Sequence, residues 1–289
     1  DADGRLDPET LDEVLPLFGD QRLGAVQIGV RINNRHKNLL ARMQDLEFVL
    51  YTQIFQRGRR HFGSVGLGGN GQFVRLSALE SLGSSPWTRK LAEDLDLGVR
   101  LLLTGWNTEF CSRVAVHQQG LTSMRRWIRQ RTRWFQGHLQ CWPLVPWILQ
   151  DMRGKRRVDL LYHVTSPFLL IVGSLLTVAF GLWIIGLGVA IATGTIQFSF
   201  WWISSYLIAF GPAVLYGLVY WRIEREHGIR FITTFALMHL YTLYATLWYI
   251  AGWRAVVRIA LGRSGWSKTE RSNDDQEAQP EEGKEVARL

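Results

Sequence analysis

The hydrophobic positions change their rhythm part-way along the chain. Over residues 1–150, short apolar runs alternate with polar turns, at helical and strand periods by turns. "RLDPETLDEVLPLF" repeats apolar residues at helical spacing, with Asp7 placed as N-cap and Pro8 at the first helical position. "LGAVQIGVRI" reads as a strand, and "KNLLARMQDLEFVLYTQIFQRG" as one long helix closed by Gly58. A glycine-rich turn, "GSVGLGGNG", feeds a short strand, "QFVRL". "WTRKLAEDLDLGVRLLLTG" predicts a helix up to Gly105, "TEFCSRVAVH" a strand, and "TSMRRWIRQRTRWFQGHLQCW" a helix capped by Thr122 or Ser123. The alternation predicts an α/β fold, a sheet with helices on its faces.

From about Val158 to Trp253 the pattern becomes almost continuously apolar. "SPFLLIVGSLLTVAFGLWIIGLGVAIATG" carries no charge and exceeds the roughly 20 residues that cross a bilayer. "FSFWWISSYLIAFGPAVLYGLVYW" is a second candidate span with tryptophans at both ends, where interfacial aromatics sit. The third segment, "FITTFALMHLYTLYATLWYIAGW", mixes threonines and a histidine among its apolar residues. The positive-inside rule places the Arg-rich 125–157 region, "RIEREHGIR" and the basic run after Trp253 on the cytoplasmic side. Two spans satisfy this, so 231–253 is expected to lie at the membrane surface or re-enter it. Residues 257–289 read as a basic run followed by a polar, acidic, disordered tail.

Composition sharpens this picture. The chain has 289 residues, is 47% hydrophobic with 13 tryptophans, and carries a formal charge of +8. Its two cysteines, Cys111 and Cys141, offer neither a disulfide framework nor metal-ligand spacing. The opening "DADGRLDPET" starts abruptly with a polar motif and no Met, which predicts a fragment lacking its N-terminal part. "RQRTRWFQG" (129–137) is a lysine-free basic cluster, and guanidinium forks match phosphate oxygens bidentately. On a helix Gln130, Arg133 and Trp134 share one face, and Arg131 turns to the next. Arg125, Arg126 and Arg129 are explained by lipid headgroups alone. A nucleic-acid partner is excluded, because the basic face abuts apolar segments rather than open surface.

Two acidic motifs complement the arginines. Asp1 and Asp3 in "DAD" point to the same side of an extended segment and suit a divalent cation. "AEDLDLG" places Glu93, Asp94 and Asp96 at a helix start. Asp96 there pairs with Arg100 at i+4, and Asp94 is free to act as a general base.

D-x-D, then E-D, then Q-R-x-R-W ahead of apolar helices resembles the membrane-bound family 2 glycosyltransferases. These include the synthases of cellulose, hyaluronan, chitin and poly-N-acetylglucosamine. The resemblance covers roughly residues 1–270, with "QRTRW" its most specific element. It implies a GT-A (Rossmann-like) fold whose C-terminal part occupies 1–121. Interfacial amphipathic helices would follow over 122–157, then membrane helices over 158–256 and a cytoplasmic tail over 257–289. It implies that Asp1 and Asp3 bind the UDP-sugar and its Mg²⁺ or Mn²⁺, and that Asp94 is the catalytic base. Gln27, within the Val26–Gln27 pair, together with Gln130, Arg131, Arg133 and Trp134, would surround the donor. Glu93, Asn70 of "GGNGQFVRLSAL" and Trp134 would meet the acceptor. "GWSKTER" resembles the W-x-K-T ending of bacterial members. Ala92 stands where many members carry Thr. The expected activity is inverting, processive transfer from a UDP-sugar to a growing polysaccharide exported across the plasma membrane. The alternatives are transfer of one sugar to a lipid or protein and, less favoured because the two clear spans carry no charged residue along a pathway, a non-catalytic membrane protein.

Overall fold

A computed structural model describes residues 4–197 and 199–263. Asp1, Asp3 and the W-x-K-T stretch at 266–269 lie outside the described residues.

Four strands form one sheet in the order β1-β4-β2-β3. In chain order the elements begin with β1 (Arg5–Leu6), α1 (Thr10–Val14), β2 (Leu23–Ile32), α2 (Leu39–Leu50) and α3 (Arg57–Phe62). β3 (Gln72–Val74), α4 (Leu76–Glu80), α5 (Glu93–Leu103) and β4 (Asn107–Gln118) complete the α/β layer. β2 and β4 run parallel from Leu23↔Asn107 to Ile32↔Gln118, and the shorter strands flank them antiparallel. β2 is buried at nine of its ten positions, as a central parallel strand covered on both faces must be. That explains its near-continuous apolar run.

Three local expectations are corrected by tertiary contacts. Asp7 does not cap α1 with its side chain. Its carboxylate instead accepts from the Ala115 amide (2.7 Å) and lies 2.8 Å from His117 Nε2, tying the N-terminal segment to β4. The long helix does not stop at Gly58. It widens into a π-helical turn over Tyr51–Gln56, continues as α3, and ends at Gly63, whose φ of 67° makes the left-handed C-cap. α5 starts at Glu93 rather than near Trp87, because the buried Asp96 carboxylate draws the preceding loop onto itself. It binds Thr88 Oγ1 (3.1 Å), Lys90 and Arg100 Nε (2.7 Å).

The helical half follows as α6 (Met124–Leu139), α7 (Val145–Asp151), α8 (Gly154–Ala192), α9 (Trp201–Glu224) and α10 (Phe231–Ala260). Ser123 sits at the N-cap of α6 without a side-chain capping bond. Among the described residues, α8 and α9 are the two helices long and apolar enough to cross a membrane. Most of their apolar side chains, such as Leu176, Leu182, Ile185 and Ile208, stay exposed, the reverse of a soluble core helix. The far end of α9 is pinned to the α/β layer: buried Glu224 pairs with Arg31 (2.7 Å) and Arg35 (3.3 Å), which also bind buried Asp45. α10 lies along α6, from Tyr244 against Trp127 to Arg258 against Gln136.

Candidate active site

The glycine turn is the first piece of the site. Gly69 (φ 77°) and Gly71 (φ 65°) occupy the left-handed region, which a side chain would strain. Gln27, almost wholly buried on β2, fastens this turn from below. Its Oε1 accepts from the Gly68 amide (2.9 Å) and its Nε2 donates to the Asn70 carbonyl (2.7 Å). Gln27 therefore shapes the turn: its buried amide lies beneath it, bonded to backbone groups of Ile28, Gly68 and Asn70. Asn70 turns its own side chain to Gln118 at the end of β4.

Over this turn lies Asp94. A methyl built on Gly69 would stand 3.1 Å from Asp94 Oδ2, so the missing side chain gives the carboxylate its seat. Burial pushes the Asp94 carboxyl up to about 6, and the neighbouring charge of exposed Glu93 adds to the shift. A hydrogen bond from the Leu95 amide (2.8 Å) and the charge of Arg133 act the other way and do not prevail. The result is a carboxylate ionised at neutral pH yet far more basic than an ordinary aspartate, as a general base requires.

Arg133 reaches this pair from α6. Partial burial lowers its pKa, and Glu93 and Asp94 offset part of that loss. Tyr51, on the π-helical turn, lies within the fields of Arg59 and Asp94; burial raises its phenol, and the charge of Arg59 acts the other way. A π-turn in a helix that borders a site is a recurrent functional device, and neither it nor Tyr51 was visible in the helical periodicity.

α6 is held in place by a contact between backbones. A methyl at Gly137 would collide with the Ala92 nitrogen and stand 2.5 Å from the Leu91 carbonyl carbon. Gln140 Oε1 accepts from the Leu91 amide nearby (2.9 Å). The departure at Ala92 falls at this contact, where a small residue packs against α6. We expect Gly137→Ala to destabilise the protein by about 1–3 kcal/mol and to depress turnover, because Asp94 lies two residues beyond Ala92. Gly173→Ala, with nothing within 4 Å of the new methyl, should leave both melting and turnover unchanged.

Arg131 does not face the site. It is fully buried, pairs with Glu47 Oε2 (2.7 Å) and lies 4.0 Å from the centroid of the Trp134 ring, with Trp127, Trp248 and Phe48 around it. Burial opposes its charge, but Glu47 and Tyr244 together outweigh that and hold it protonated. The structure places Arg131, expected around the donor, in this buried junction with its charge paired to Glu47. Trp134, half-buried, rests one face on this guanidinium and meets Phe48 edge-on. Gln130 Oε1 accepts from Arg131 (3.0 Å), so the shared face of Gln130, Arg133 and Trp134 is organised by the residue between them. Cys141 is buried and its thiol pushed up to about 12, an inert packing group. Among the described residues no group of three His, Cys, Asp or Glu is placed to hold a metal.

The family model described as glycosyl transferase family group 2 matches residues 1–257. The chain belongs to this family. Among curated proteins, it is similar to a beta-monoglucosyldiacylglycerol synthase of Trichormus variabilis, 36% identical over 177 residues, 59% of this chain and 36% of that protein. A protein of the same name from Synechocystis sp. is 33% identical over 190 residues, 63% of this chain and 38% of that one. The probable glycosyltransferase YdaM of Bacillus subtilis is 31% identical over 169 residues, 57% and 39% respectively. The matches thus span between 36% and 39% of the length of these relatives. The structure brings Glu93 and Asp94 of α5 and Arg133 of α6 together beside the glycine turn, with Trp134 next to Arg133 on α6.

Proposed function

We propose that this glycosyltransferase moves a single sugar from a nucleotide-sugar donor to a lipid hydroxyl, with inversion. The observation that carries the reading is Asp94, its carboxyl raised to about 6, within the field of Arg133 of α6. Asp94 takes the proton from the attacking hydroxyl as the new glycosidic bond forms and the bond to the diphosphate breaks. Arg133 carries part of the diphosphate's charge, and Trp134 walls the acceptor side. A lipid acceptor replaces the polysaccharide expected at first. In its favour are the names of two relatives, whose product is a lipid bearing one glucose, and the exposed apolar surfaces of α8 and α9. The donor is proposed to be a UDP-sugar, and the catalytic layer to face the cytoplasm at the plasma membrane. Membranes carrying the full-length protein, supplied with labelled UDP-sugars and diacylglycerol, should yield a glycolipid with one sugar. A ladder of polymer lengths would reject the reading.

Asp1 and Asp3 supply the paired hard oxygens that Mg²⁺ or Mn²⁺ prefers, and would hold the cation that neutralises the donor diphosphate. Excess chelator should then abolish transfer, and added Mn²⁺ should restore it. Arg133→Lys keeps the charge but loses the planar fork, so we expect a tenfold or greater loss of kcat/KM for the donor, about 1.4 kcal/mol or more. Trp134→Ala should instead raise the KM for the acceptor. Varying donor and acceptor separately for each variant checks both.

A further inference from the structure

Where α10 crosses α6, two pairs of arginines one helical turn apart face one another. Arg129 and Arg133 come from α6 and Arg254 and Arg258 from α10, and together they line a narrow crevice with Thr132 and Gln136. Among the described residues lining it there is no carboxylate. The approach is enforced by packing. Gly252 lets α10 settle onto Phe135, a methyl there standing 3.0 Å from the ring, with Ile171 of α8 at 3.1 Å. Arg258 Nε donates to Gln136 Oε1 (2.9 Å), and Gln136 Nε2 donates to the Arg263 carbonyl (2.8 Å). Guanidinium groups converging from two helices present N–H forks that match the oxygens of a phosphate.

The surroundings say which anion. The same turns of α10 expose Trp253, Val257 and Leu261, apolar side chains 41%, 53% and 60% accessible. Behind them α8 enters its charge-free stretch, with Leu170 and Ile171 packed against Phe135, Leu139 and Ala255. Arginines set directly beside exposed apolar side chains match the boundary between headgroups and acyl chains.

We infer that this crevice binds the phosphate of an anionic phospholipid, at a site beside the donor pocket that shares Arg133 as its border. The inference rests on the membrane placement proposed above. A donor diphosphate offers the same chemistry, and the experiment separates the two. Full-length wild-type protein and the Arg129→Gln/Arg254→Gln variant are compared for binding to vesicles of phosphatidylcholine alone and of phosphatidylcholine mixed with phosphatidylglycerol. Wild type should prefer the mixed vesicles, and the variant should lose about thirtyfold of that preference, two arginine contacts near the surface. Arg129→Lys/Arg254→Lys should recover most of it. Arg125→Gln/Arg126→Gln removes equal charge from α6 outside the crevice and should lose markedly less. Equal losses in the two glutamine variants would overturn the site in favour of diffuse surface charge. A raised KM for the nucleotide sugar in neutral vesicles, with binding to mixed vesicles unchanged, would assign the crevice to the donor. Because vesicle binding is read without turnover, the site stands or falls independently of the proposed reaction.

Discussion

Asp94→Asn is expected to lower sugar transfer by about 10²- to 10⁴-fold while leaving donor binding nearly intact. The amide fills the seat over Gly69 and keeps the contact with the Leu95 amide, but it cannot take a proton. In the wild type, turnover should fall tenfold per pH unit below about pH 6, where the raised carboxyl becomes protonated and the base disappears. Stability should move in the opposite direction. The folded chain binds this proton more tightly than the unfolded chain, so folding gains from Asp94 at acid pH and loses that gain as pH rises through about 6. The asparagine protein should therefore be at least as stable as wild type at pH 7, with any advantage gone below about pH 4. Thermal melts across pH, beside donor binding and turnover, check all three. A variant that keeps near-wild-type turnover removes Asp94 from the chemistry.

Arg131→Ala should destabilise the protein by about 3–5 kcal/mol, the range for one partner removed from a buried ion pair. Glu47 gathers Arg131 (2.7 Å), the Tyr244 hydroxyl (2.6 Å) and the Trp248 indole N–H (3.0 Å) between α2, α6 and α10. Without the guanidinium its carboxylate remains in a largely apolar setting, and Trp134 loses the cation under its ring. Glu47→Gln should cost a similar amount, because it leaves the fully buried Arg131 guanidinium without its counter-charge. The double variant should be more stable than the sum of the single losses predicts, the sign of a coupled pair. Chemical unfolding in detergent micelles gives the cycle. Additive losses would mean that the pair is not coupled and that Arg131 acts through its aromatic contacts alone.

The α/β layer was legible because β2, β4 and α5 carry strong periodicity and lie where local preference and burial agree. The pairing of Asp96 with Arg100 was legible from its i+4 spacing, whereas the role expected of Asp94 came from the family resemblance. The burial of Arg131 and Gln27 was not legible, because a motif shows which residues are special without showing which way they point; both are buried, Arg131 against Glu47 and Gln27 beneath the glycine turn. Gly58 misled because glycine tolerates a helix interior when the chain on both sides is packed, whereas Gly63 alone takes the left-handed cap. Glu47 and Gly137 gave faint signals, an acid amid an apolar helix and a glycine inside an arginine-rich one. Their partners lie 84 and 45 residues away in sequence, Arg131 and Ala92 respectively, beyond the reach of any local window.

The bare contact at Gly137 also determines how stiffly the catalytic layer is joined to its support. Side chains at an interface can change rotamer and absorb a roll of one helix against another, but two peptide planes in direct touch have no such slack. Any tilt of α6 is passed undamped to Leu91 and Ala92, and so to the first turn of α5. The joint transmits torque as a keyed shaft does, and Asp94 keeps one fixed height above the helices that carry it.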